Sequence, residues 1–198
     1  MCIICASIKG IRQPSLTVLR NMFENNPDGA GYMTARGGLV EIRKGFMTWD
    51  DFASAIKAEN FKACDPVVYH FRISTQAGVI PEMTHPFPIT GRIEDCKLLR
   101  TTCELGAAHN GIIQLTTDRT DREYSDTAHY VAEFLRYFVR TPDDLRDPDA
   151  LNAVRKTTRS KWALMDGTGY IATVGAFIAE PCGLLYSNGT YRKAPIFI

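Results

Sequence analysis

Met1-Cys2-Ile3-Ile4-Cys5-Ala6-Ser7-Ile8 opens the chain and decides its reading. The run is apolar and partly β-branched, and its length suits a strand covered on both faces better than a helix. Cys2 would open that strand. Once Met1 is removed, this residue carries both a thiol and a free α-amine, two groups that titrate near neutrality. An N-terminal amine can activate a hydrolytic nucleophile. Core packing is the plainer meaning, because free cysteine is among the most buried residue types.

The rest of the chain alternates strand and helix signals. Pro14 to Phe23 places Leu16, Leu19 and Phe23 at helical spacing, with Asn25-Asn26-Pro27-Asp28-Gly29 as the stop. Tyr32–Arg36 and Leu39–Arg43 flank Gly37-Gly38 as a hairpin, and Thr48 to Ala58 predicts a helix with a Thr cap. Val67–Arg72 and Leu105–His109 are further buried strands that end in polar residues. Ser125 to Phe138 predicts the longest helix, its apolar face made by Ala128, Val131, Ala132, Leu135 and Phe138. Trp162–Met165 and Tyr170–Val174 bracket a hairpin turn at Asp166–Gly169, and Asn188-Gly189 is another turn signal. Asp143 to Asp149 predicts a loop and a short helix. Strands dominate both ends with helices between, which favours a layered α+β fold in one domain over residues 1–198 rather than a doubly wound sheet.

Composition narrows the function classes. Lys and Arg number 23 against 22 Asp and Glu, for a net charge of +1, so no global field gathers nucleic acid or an anionic membrane. No apolar run is long enough to span a bilayer and no leader is apparent, so a cytoplasmic location is expected. Six cysteines (Cys2, Cys5, Cys64, Cys96, Cys103 and Cys182) are spread without the two paired C-x-x-C elements of a zinc knuckle. Reduced thiols, no metal and no cofactor are expected. The local basic residues Arg155, Lys156, Arg159 and Lys161 read as a solvated face.

Four polar clusters stand where strands end or in the loops beyond: Asp28-Gly29, His70 to Thr75, His109-Asn110-Gly111 and Ser125-Asp126-Thr127. A thiolate attacking an amide needs donors for the developing oxyanion, and an Asn side chain beside an accessible Gly N–H supplies two. Asn110-Gly111 fits that task, and also reads as a plain turn. An amino acid substrate needs an Arg for its carboxylate and an acid for its ammonium. Arg72 and Asp126 are available; their ordinary meanings are a strand-end residue and a helix cap.

Taken together, Met1-Cys2, Asn26–Gly31, His70–Gly78, His85-Pro86-Phe87, His109–Ile113 and Ser125-Asp126-Thr127 resemble, in order and spacing, the class II glutamine amidotransferase domain of the N-terminal nucleophile hydrolases. The resemblance covers about residues 2–130. It implies a four-layer αββα sandwich that presents Cys2 at a glutamine pocket. It also implies Cys2 as nucleophile with its α-amine as base, Asn110 and Gly111 as the oxyanion hole, Arg72 on the substrate carboxylate, Thr75 lining the pocket and Asp126 on the substrate amine. Asp28, Gly29, His85 and His109 would shape the pocket. The implied reaction is hydrolysis of glutamine through a Cys2 thioester, conditional on Met1 removal, with ammonia released to a separate synthase subunit. A stand-alone γ-glutamyl amide hydrolase, or a silent binding module of the same fold with Met1 retained, are the competing expectations.

Overall fold

The computed structural model describes residues 1–74, 78–114 and 123–193. The first strand β1 (Ile3–Ser7) is buried at every position. Helix α1 (Leu16–Asn25) follows; it starts after Ser15, not at Pro14, because the Ser15 hydroxyl accepts from Val18 N–H. Strands β2 (Ala30–Arg36) and β3 (Leu39–Phe46) form the hairpin expected around Gly37-Gly38. Helix α2 (Trp49–Glu59) is capped by Thr48 and ended by Asn60 in the left-handed region. After β4 (Val67–Phe71) come the short strands β5 (Phe87–Pro88) and β6 (Arg100–Cys103), then β7 (Leu105–Asn110). The expected long helix is divided: α3 (Asp126–Tyr130) runs into a π turn, Val131–Leu135, before α4 (Arg136–Phe138). Its apolar spacing tolerates one wider turn, so periodicity does not reveal the break. Helix α5 (Pro148–Thr158) is longer than expected, with Asp147 capping it and Pro148 in its first turn. Strands β8 (Lys161–Asp166), β9 (Ile171–Val174), β10 (Ile178–Ala179) and β11 (Leu185–Tyr186) follow.

These strands form two antiparallel sheets, in the orders β10-β11-β1-β4-β2-β3-β6 and β5-β7-β8-β9, so the class is α+β. β1 sits inside the larger sheet, paired with β4 over its whole length and with β11 at Cys5 and Ala6. Strand alternation sorts its side chains. Ile3 and Cys5 join Leu19, Met22, Phe23 and Phe52 from α1 and α2. Ile4 and Ala6 join Met33, Val40 and Val68 of their own sheet and Ala108, Ala163 and Met165 of the other. The far face of the smaller sheet packs Ala107, Trp162 and Leu164 on Ala128, Val131, Leu135 and Val154.

The two hairpin tips meet. A Cβ on Gly167 would lie 1.9 Å from the Gly38 carbonyl oxygen, so only glycine allows this contact between the sheets. Asp166, fully buried, fixes the β8–β9 turn by accepting from the N–H groups of Thr168 and Tyr170 and from Arg146. Among the described residues, no helix is long and apolar enough to cross a membrane.

Candidate active site

Cys2 lies one residue before β1 rather than within it, where the sheet ends and the sulfur is part-buried. The neighbouring strand holds it: Ile73, two residues past the end of β4, directs its N–H at the sulfur from 3.5 Å, and its carbonyl lies 3.5 Å from the same atom. Burial pushes the thiol above its ordinary value, opposed by the Ile73 N–H and the nearby Arg72 charge. Among the described residues, no ionisable side chain hydrogen-bonds the sulfur. Cys2 and Cys5 stand in C-x-x-C spacing, a pairing that the expectation of scattered cysteines passed over. In extended chain that spacing turns them to opposite faces, and both are free thiols. Cys5 packs in the core.

Arg72 leaves β4 nearly buried, at 6% exposure. Its N–H and carbonyl pair with Gly29 O and Asp28 N at 2.8 and 3.0 Å, which explains how the Asp28-Gly29 loop reaches the site. The guanidinium donates to Gly78 O and to Ser74 Oγ, and Cys2, Asp28 and Asp126 all act on its charge. Asp28 accepts from Ser74 N–H at 2.7 Å. Gly29 is required, since a Cβ there would meet Thr84 at 2.6 Å on a backbone of φ +113°. Thr75 lies outside the described residues.

Asp126 opens α3, and Ser125, not Asp126, caps the helix by accepting from Ala128 N–H. The carboxylate instead accepts from Ile113 N–H at 2.8 Å and Thr127 N–H at 2.8 Å, tying α3 to the loop that follows Gly111. Gly111 fits closely: a Cβ would stand 2.7 Å from Ser160. Asn110, the last residue of β7, is 4% exposed. By strand alternation it shares the face of Ala108, toward the larger sheet, while His109 turns the opposite way onto Trp162.

The histidines form a buried knot. His70 Nε2 and His85 Nδ1 are 3.1 Å apart and lie 3.0 and 3.1 Å from the His109 carbonyl oxygen. The His109 ring meets the Thr127 hydroxyl at 2.8 Å, which joins the knot to the helix that carries Asp126. Burial holds His70 and His109 down to about 3 and His85 well below its ordinary value, so all three are neutral at pH 7. They tie β4, β7 and the segment before β5 together and are unsuited to taking a proton from Cys2.

Two residues escaped sequence reading. Asn188 donates its side-chain N–H to the Cys2 carbonyl at 2.7 Å, and its Oδ1 accepts from Thr190 N–H and Oγ1. The Ser187 hydroxyl oxygen lies 2.9 Å from Ile4 N and 2.8 Å from the Asn110 amide, linking β1 to β7 across the sheets. In sequence they read only as the approach to an Asn-Gly turn. A cleft of about 440 Å³ lined by Arg92, His129, Glu133, Arg136 and Tyr137, of mixed charge, includes none of the residues expected at the site. His129 is buried and pairs with Glu133. Among the described residues, no three His, Cys, Asp or Glu side chains, the histidine knot included, are arranged to hold a metal ion. No protein-family model matches the chain, and no curated protein matches it.

Proposed function

We propose that the protein is an amidohydrolase of the glutamine amidotransferase type, with Cys2 as its N-terminal nucleophile once Met1 is removed. The observation that carries this reading is the setting of the thiol. Its pKa is raised by burial, it has a cation and a backbone N–H beside it, and no side-chain base hydrogen-bonds it among the described residues. A buried thiol without a base is inert, because the thiolate is the attacking species. The α-amine of a mature Cys2 supplies that base from within the same residue. Met1 is 73% exposed, open to an aminopeptidase.

In the proposed reaction the amine takes the thiol proton and the sulfur bonds to the amide carbon of glutamine. The oxyanion is met by Asn110 and the Gly111 N–H, and the amine returns the proton to the departing ammonia. Water then cleaves the thioester to give glutamate. Arg72 would clamp the substrate carboxylate, Asp126 would take its ammonium, and Thr75 would line the pocket. Asp28, Gly29, His85 and His109 would hold these groups in place. The order of helices, larger sheet, smaller sheet and helices in the three apolar clusters supports a four-layer αββα sandwich of the N-terminal nucleophile type.

The test uses protein whose intact mass shows Met1 removed, incubated with glutamine and separately with γ-glutamyl amides. Ammonia release that requires a partner protein supports the amidotransferase reading; full turnover of a γ-glutamyl amide alone supports the stand-alone hydrolase. Retained Met1 on all native protein, with no labelling of Cys2 by a diazoketone analogue of glutamine, overturns both and leaves a binding module.

A further inference from the structure

The hydrogen-bond inventory around Ser187 does not balance as the heavy atoms are named. Its hydroxyl oxygen necessarily accepts from Ile4 N–H, and accepts again if the Asn110 amide nitrogen faces it. The hydroxyl proton is then without an acceptor among the described residues. At the other end of the same amide, Asn110 Oδ1 is buried and has no hydrogen-bond partner. Two neighbouring groups are thus unsatisfied, and a buried polar group left without a partner is destabilising. The oxygen and nitrogen of an Asn amide are interchangeable in shape, and the network decides which is which.

Exchanging them gives the hydroxyl proton an acceptor and turns the unpaired amide acceptor into an unpaired donor. The Ser187 hydroxyl, still accepting from Ile4 N–H, donates its own proton to Asn110 Oδ1. The amide NH2 then occupies the end that had no partner, where its protons are held for an incoming oxygen in a site shielded from water. We infer that Ser187 is a positioning residue that orients the Asn110 amide as an oxyanion donor, fixing it to β1, the strand that Cys2 directly precedes. The inference deepens the proposed function and rests on it for the role of the NH2, while the orientation of the amide stands by itself. The surroundings are rigid: Ser187 is fully buried, its N–H donates to Ile4 O, and its carbonyl accepts from the Lys161 ammonium.

A neutron or atomic-resolution structure of the full protein reads the orientation directly. A hydroxyl deuteron on the line from Ser187 Oγ to Asn110 is expected; an amide deuteron on that line overturns the inference, whatever the catalytic result. In kinetics on the processed protein, Ser187→Ala should lower kcat with glutamine by about 10²-fold, the scale of a small misplacement, with KM nearly unchanged because Arg72 and Asp126 are intact. Adding Ser187→Ala to Asn110→Ala should cost little more than Asn110→Ala alone, because both act on one donor. Ser187→Ala should likewise slow Cys2 labelling by the diazoketone at saturation without weakening its binding. A lower melting temperature with unchanged kcat, or additive losses in the double variant, would show Ser187 to be structural only. Absence of turnover and labelling in the unaltered protein would instead defeat the proposed function and leave the deuteron map to decide the orientation.

Discussion

A sulfur with a raised pKa and a backbone N–H for company makes Cys2 depend on what it is attached to. Cys2→Ala is expected to abolish both glutamine turnover and diazoketone labelling, with the melting temperature little changed because the residue lies outside β1. Surviving turnover would place the nucleophile elsewhere. Arg72→Lys loses the two-pronged grip on a carboxylate and should raise KM for glutamine by about tenfold or more, roughly 1.4 kcal/mol, as measured by initial rates. The histidine knot makes a separate forecast. Its members titrate in the unfolded chain near 6.5, whereas burial in the folded chain lowers His70 and His109 to about 3 and His85 well below its ordinary value, so unfolding takes up protons below about pH 6.5 and stability falls as pH drops. The three together contribute a slope of at most about 4 kcal/mol per pH unit. Urea unfolding between pH 7 and 4.5 measures it, and NMR should find all three rings neutral for as long as the fold persists. Cys2, Arg72, Asn110 and Asp126 could be named as candidates from the sequence because their chemical types are conspicuous at strand and helix ends. Ser187 and Asn188 could not, since a Ser and an Asn before Gly spell a turn, and their partners lie 183 and 186 residues away for Ile4 and Cys2.

Hairpins and capped helices were the elements read most accurately, because their signals are local: Gly37-Gly38 sets one turn, Asp166 through Gly169 another, and Thr48 starts α2. β5, β6 and β10 went unread. They are short strands whose only reason to be extended is a neighbour supplied by the fold. The contact of the two hairpin tips is equally non-local, and Gly167→Ala tests it. The added methyl meets backbone rather than a flexible side chain, so a loss of about 1–3 kcal/mol in urea unfolding is expected. On β3, Lys44 is 4% exposed, with its ammonium donating to the carbonyls of Glu82 and Cys96 and lying over the Phe87 ring. Desolvation lowers it to about 7. The unfolded lysine holds its proton up to about 10.5, so between pH 7 and 10.5 the unfolded state binds more protons and this residue's contribution to stability rises with pH. Relative to Lys44→Met, the unaltered protein should therefore gain stability across that window, and a flat difference would place the ammonium in water.

The α+β class and the burial of the first strand followed from composition and pattern, while the pairing order of the sheets did not, because register across distant strands leaves no local trace. β1 has hydrogen-bonded neighbours on both sides, one from the middle of the chain and one from its last part. A chain stopped after Cys182 exposes one edge of that strand and loses Ser187 and Asn188, so it should neither label at Cys2 nor stay monomeric in size-exclusion chromatography. The same topology sets a schedule during translation. The residues around the thiol emerge first, and at roughly 5–20 residues per second their second flank follows about 10–40 s later. Nascent chains, however long they linger on the ribosome, hold a sulfur whose surroundings are unfinished, and the proposed chemistry waits until β11 has paired with β1.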